Sequence, residues 1–268
     1  MSEKKYNQGV INKMKMKIIL SLVLLSVLVA VFYFVKLYGN KAIEPKTITF
    51  ETQDNLMISA DLYMTRKQEA PYIILFHQAN YSRGEYISIA PVLNKMGFNC
   101  LAVDQRSGKL VNGVRNSTAK QATALKLSTQ YADALPDMEA SLKYVKNELK
   151  AEKIIIWGSS YSASLVFVLG EKYPEDIKGI LAFSPGEYMK VDNRMIEDYA
   201  KNNKCPVFIT SAKDETEWKS MYDKIPSDNK AYYIPDFPGK HGSSALWDRY
   251  DKSSYYWENV KKFLDTLI

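Results

Sequence analysis

Ile154-Ile155-Ile156-Trp157-Gly158-Ser159-Ser160-Tyr161-Ser162-Ala163 is the stretch whose reading decides the fold. An apolar run of strand length ends in a small polar turn, and helical spacing begins directly behind it. A serine held at so sharp a strand-to-helix turn has its hydroxyl pushed clear of the backbone, beside the amide donors of the helix. Small residues are needed two positions before and two after it, because a larger side chain would meet the neighbouring strand or helix. Gly158 and Ser162 stand there, the second a departure from the G-x-S-x-G pattern that narrows the room at the turn. Taken alone, the match also describes a polar turn opening an ordinary helix, so the flanking chain has to decide.

Outward from this turn the pattern alternates. Residues 46–51 and 57–64 read as period-2 strands joined at Asp54-Asn55, an antiparallel hairpin. Apolar runs at 72–76, 100–103, 154–157, 180–183, 207–210 and 231–234 read as buried strands. Helical spacing covers 85–96, 131–149, 160–172, 193–201, 217–224 and 245–267. Buried strands alternating with helices predict an α/β fold, a mostly parallel eight-stranded sheet with helices on both faces. Residues 105–130 are left as one irregular, polar stretch over the carboxyl edge of that sheet. No internal repeat or low-complexity linker divides the region.

The N-terminus is a different material. Residues 1–41 carry a net charge of +6, the same as the whole chain, so residues 42–268 sum to zero. The high isoelectric point therefore describes the tail, and nucleic-acid binding has no basic domain to rest on. Residues 18–35 are uncharged, and as a helix they span about 27 Å, close to the roughly 30 Å of a bilayer's hydrocarbon. Phe32, Tyr33, Phe34 and Tyr38 gather at the far end, and five lysines precede the run against two that follow. This pattern predicts a basic cytoplasmic tail at 1–17, a transmembrane signal anchor at 18–38, a linker at 39–45 and a folded domain at 46–268. The domain is placed on the outer side of the cytoplasmic membrane. No small-residue cleavage pattern follows the run, which favours an uncleaved anchor. Cys100 and Cys205 each open a separate buried strand, which predicts free thiols, and two histidines without Cys/His clustering argue against zinc.

In a parallel sheet, ligands bind outside the carboxyl ends of the strands. Polar residues are found there in a telling series: His77-Gln78 after the third strand, Asp104-Gln105-Arg106 after the fourth, the serine turn, Ser211-Ala212-Lys213-Asp214 after the seventh and Lys240-His241-Gly242 after the eighth. A serine hydroxyl needs a neighbouring base, and an imidazole titrating near neutrality is suited to that work. His241 is the expected base, Ser160 the nucleophile and Asp214 the carboxylate that orients the imidazole. Glu215, Glu217 and Asp236 are reserve acids. Two backbone N–H groups must face the developing oxyanion, and Tyr161 and Gln78 are the expected donors. His77 either braces its loop or, with Arg106 and Tyr188, contacts substrate. Arg106 and Arg83 could hold an anionic group or form structural ion pairs.

At these residues the chain resembles the α/β-hydrolase superfamily, in its dienelactone-hydrolase-like and serine-aminopeptidase-like esterase branch. The resemblance covers roughly residues 46–268. It rests on Phe76-His77-Gln78, Tyr81-Ser82-Arg83-Gly84-Glu85-Tyr86, Val103-Asp104-Gln105-Arg106, the serine turn, Ser211-Ala212-Lys213-Asp214 and Lys240-His241-Gly242. It implies a serine hydrolase cleaving a small-molecule acyl ester through an acyl-enzyme, with no cofactor and no metal. Dienelactone hydrolases proper use a cysteine nucleophile, so their substrate is not carried over. Acyl transfer on the same triad, or a non-catalytic binding protein on the same fold, are the competing readings.

Overall fold

A computed structural model of the chain describes residues 15–17, 19–30, 33, 44–65 and 69–268. It divides into two units, Met1–Ala42 and Ile43–Ile268. In the first, the described residues are helical, and their large apolar side chains are exposed. No helix among the described residues is long and apolar enough to cross a membrane. The rest of the predicted 18–38 segment, and 39–43 of the predicted linker, lie outside the described residues.

The second unit is built on an eight-stranded sheet in the order β1-β2-β4-β3-β7-β8-β9-β10. Its strands are β1 (Lys46–Glu51), β2 (Met57–Tyr63), β3 (Tyr72–Phe76), β4 (Asn99–Val103), β7 (Ile154–Ser159), β8 (Ile177–Phe183), β9 (Val207–Thr210) and β10 (Lys230–Tyr233). The β1–β2 and β2–β4 pairs are antiparallel, and every pairing from β4 onward is parallel. The helices are α1 (Ala90–Lys95), α2 (Ser117–Ala124), α3 (Leu135–Asn147), α4 (Tyr161–Lys172), α5 (Ile196–Ala200), α6 (Lys219–Lys224) and α7 (Ser253–Leu264).

Period-2 geometry sorts the strand side chains into two cores. Tyr72, Ile74 and Phe76 of β3 join Ile154 and Ile156 of β7 in one core, with Met138 and Leu142 of α3 and most of α4. Ile73, Leu75, Ile155 and Trp157 point to the other, which holds Leu93 of α1 and Tyr256, Val260 and Phe263 of α7. Because both faces are covered, the central strands can be apolar at every position, as the continuous runs require.

Several of the predicted helices are shorter than their apolar spacing suggests. The 85–96 segment divides into a 3-10 turn at Arg83–Tyr86 and α1, and the 245–267 segment into a 3-10 turn at Gly242–Leu246 and α7. Residues 193–201 yield only α5. The 105–130 stretch is more ordered than expected, containing a hairpin of β5 (Leu110–Val111) and β6 (Val114–Arg115) and then α2, whose cap is Asn116 Oδ1 accepting from the Ala119 N–H at 2.7 Å. Cys100 and Cys205 are both free thiols, as expected.

Register decides where the loops emerge. Phe76 pairs with Val103 and Gly158, Ser159 with Phe183, and Phe183 with Thr210, which also pairs with Tyr233. The strands therefore end level, and the loops that begin at residues 77, 104, 160, 184, 211 and 234 leave one edge of the sheet together.

Candidate active site

Ser160 sits between β7 and α4 with φ +58° and ψ −121°, a backbone conformation costly for a residue with a Cβ. The surrounding structure holds it there: its N–H donates to Phe183 C=O at 2.8 Å, and its own C=O accepts from Ala163 N–H at 2.8 Å. Closeness explains Gly158, since a Cβ at that position would stand 2.3 Å from Ser162 O. Ser162 does not crowd the turn. Its Oγ lies 2.7 Å from His77 O and 3.0 Å from Gln105 Oε1, so the departure from glycine ties the elbow to the loops after β3 and β4.

His241 Nε2 lies 2.8 Å from Ser160 Oγ, across 81 residues of chain. Its Nδ1 lies 2.6 Å from Glu215 Oε1. The carboxylate partner is therefore Glu215, one of the reserve acids, and the expectation of Asp214 is corrected. Glu215 N–H donates to Ala212 O at 3.2 Å, closing a turn that leaves Asp214 exposed and carries Glu215 inward. Glu215 Oε2 also accepts from Ser184 Oγ at 2.6 Å and from Ala212 N–H at 3.2 Å. Burial would raise its pKa, but the hydrogen bonds from His241 and Ser184 outweigh that and hold the carboxyl below its ordinary range. Ser184 Oγ in turn accepts from Gly242 N–H at 2.9 Å, which fastens the histidine loop to the acid. Gly242 needs its missing side chain: φ is +63°, and a Cβ would lie 2.5 Å from both Gln78 Oε1 and Ser159 Oγ.

A second expectation is corrected at the loop after β3. The Gln78 N–H donates to Glu85 Oε2 at 2.8 Å, so it is not available to an oxyanion. Glu85 is fully buried and was missed in the sequence, where it reads as an ordinary first-turn acid. Its Oε1 accepts from Ser159 Oγ at 2.8 Å, and Ser159 Oγ accepts from Ser243 N–H at 2.9 Å. One carboxyl thus connects the loop after β3, the elbow and the histidine loop. Burial pushes its pKa up to about 7, against the opposing effect of the Gln78 and Ser159 hydrogen bonds. The amides of Ala79, next in that loop, and of Tyr161, first in α4, have no hydrogen-bond partner among the described residues.

Of the three residues expected against substrate, two are structural. His77 is fully buried, with Nδ1 2.8 Å from Gln78 O and Nε2 accepting from Gln105 N–H at 3.0 Å. Burial lowers its pKa to about 4, so it is a neutral brace. Arg106 is closed off by Asp137 Oδ1 at 2.7 Å and Asp54 Oδ2 at 2.8 Å. Arg83 is likewise held, by Asp61 and Asp104. Tyr188 remains beside the site: its OH donates to Ser184 O at 2.9 Å, its ring lies against Gly186, and burial pushes its pKa up to about 12 with Ser160 among its neighbours.

A family model described as alpha/beta hydrolase fold matches residues 71–262. A comparison with curated proteins found no match. Among solved structures, the esterase Pf2001 of Pyrococcus furiosus superposes with a TM-score of 0.65 at 20% identity, covering 84% of this chain and 93% of its own. The dienelactone hydrolase of Anabaena variabilis gives 0.66 at 10% identity, over 84% and 99%. Est1E of Butyrivibrio proteoclasticus with ferulic acid bound gives 0.63 at 15%, over 82% and 98%.

Proposed function

This chain belongs to the α/β-hydrolase family, and from that premise we propose that it is a serine hydrolase cleaving a carboxylic ester through an acyl-enzyme. The observation that carries this reading is the continuous hydrogen-bonded path Ser160 Oγ–His241 Nε2 and His241 Nδ1–Glu215, at 2.8 and 2.6 Å, on a serine held at positive φ. The esterases among the structural neighbours are in keeping with it.

Ser160 Oγ attacks the ester carbonyl carbon while its proton passes to His241 Nε2. Glu215 keeps the Nδ1–H tautomer and offsets the charge of the imidazolium. The N–H groups of Tyr161 and Ala79, both without a hydrogen-bond partner among the described residues, receive the oxyanion of the tetrahedral intermediate. The imidazolium then gives its proton to the departing alkoxide, leaving the acyl group on Ser160. Water, deprotonated by His241, attacks that acyl carbon, and Ser160 departs as the hydroxyl with the acid released.

The sequence pattern of residues 1–38 supports a further part of the proposal, an anchor at 18–38 with the hydrolase unit on the outer side of the cytoplasmic membrane. Protease added to intact cells should then digest the hydrolase unit, and protection of it would reverse the assignment. For the chemistry, a fluorophosphonate probe should label the wild-type chain and not Ser160→Ala. Absence of labelling in folded wild type would sink the enzyme reading and favour a binding role.

A further inference from the structure

A pocket of about 510 Å³ opens over the carboxyl edge of the sheet, and its charge is unlike that of the domain around it. Residues 42–268 sum to zero, yet this pocket is lined by Arg106, Lys109, Arg115 and Lys120 and by no carboxylate. The Arg106 charge is already matched by Asp137 and Asp54. Lys109, Arg115 and Lys120, from the β5–β6 region and α2, have no ion pair or side-chain hydrogen bond among the described residues. Arg115 is the exception of its kind. Of the other described arginines, Arg83, Arg106 and Arg194 face carboxylates and Arg249 lies over the Trp247 ring.

Ser160 does not itself line the pocket, but two of the pocket's walls lead to its surroundings. Ala79 belongs to the loop whose amide receives the oxyanion, and Tyr131 stacks on Tyr161, the residue after Ser160, with ring centroids 4.8 Å apart. Like charges gathered in a concavity repel one another and focus their field outward, and an anion bound among them relieves both effects. We propose that this pocket binds an anionic oxyacid group, such as a carboxylate, carried by the ester that Ser160 cleaves. The proposal rests on Ser160 being the reactive atom and adds the substrate class. It moves the anion site from Arg106 and Arg83, which are neutralised, to three cations on the stretch that covers the sheet edge.

The test uses two matched pairs of esters. Mono-4-nitrophenyl glutarate against 4-nitrophenyl valerate places the charge on the acyl side, and 5-butyryloxy-2-nitrobenzoate against 4-nitrophenyl butyrate places it on the alcohol side. Binding of each uncleaved ester to the Ser160→Ala chain is measured by calorimetry, and kcat/KM on the wild type. In at least one pair the charged ester should bind about tenfold more tightly, the sum expected of three partly exposed ion pairs. That preference should vanish in the Lys109→Gln, Arg115→Gln, Lys120→Gln variant and at about 1 M salt. No preference in either pair, or a preference that survives the triple substitution, would overturn the proposal. Turnover reports separately on the hydrolase reading: if neither the charged nor the neutral esters are cleaved that reading fails, while the binding comparison still decides the pocket.

Discussion

Substituting Glu215 by Gln tests the corrected assignment directly. The variant keeps an acceptor for His241 Nδ1–H and a group able to meet Ser184, so the local packing survives, but it lacks the charge that offsets the imidazolium. At 2.6 Å and an effective dielectric constant near 20, that attraction amounts to about 6 kcal/mol. The side chains of His241 and Glu215 are 40% and 33% exposed, and solvent screening reduces the figure to about 3–4 kcal/mol. Since about 1.4 kcal/mol is a factor of ten, kcat should fall by two to three powers of ten with KM nearly unchanged, because the charge acts on the transition state. Asp214→Asn is the paired control: Asp214 is exposed and outside the path, and its loss should alter kcat less than twofold. The assay is 4-nitrophenyl butyrate hydrolysis, with melting temperatures recorded to show that both variants are folded. If Asp214→Asn proves the more damaging change, the loop closes differently during catalysis and the assignment of Glu215 is wrong.

Further expectations follow from the buried groups. For Glu85, whose folded-state pKa of about 7 stands above its ordinary 4.5, the native state retains a proton that the unfolded chain has lost between those values, so its contribution to stability grows as pH falls. Glu85→Gln should therefore lose about 3 kcal/mol more than wild type between pH 7 and pH 4.5 in urea unfolding, and equal pH slopes would contradict this. His77 has the opposite sign: with its pKa lowered to about 4, its contribution is lost as pH falls from about 6.5. His77→Asn should therefore lose less stability than wild type as pH falls from about 6.5 to about 4 in the same urea titration, and an equal loss would contradict this. Arg106→Met strands the fully buried Asp137 and should cost about 3–5 kcal/mol, with most of it recovered when Asp137→Leu is added. Gly158→Ala drives a methyl group into Ser162 O, and should abolish fluorophosphonate labelling while lowering the urea midpoint by the equivalent of about 1–3 kcal/mol or more.

Much of this protein is legible in one dimension because its physics is local. Continuous apolar runs demand a sheet covered on both faces, and the Gly158-to-Ser162 turn demands a small-residue elbow, so the eight strands, the serine and the histidine could be read directly. Those features depend on neighbours one to four residues away. Glu215 instead of Asp214 depends on how one turn closes against Ser184 and His241, from loops 31 and 26 residues distant. The same holds for the Gln78 amide, taken by Glu85, and for Arg106, neutralised by Asp54 from 52 residues away. Adjacent side chains in a loop point in different directions, and only the register that ends the parallel strands level determines which of them face the serine. Composition alone was enough to establish that charge is concentrated at the N-terminus and cancels in the domain. That three cations without an ion pair among the described residues share one hollow was settled by tertiary packing, which brings the β5–β6 hairpin and α2 to the same wall.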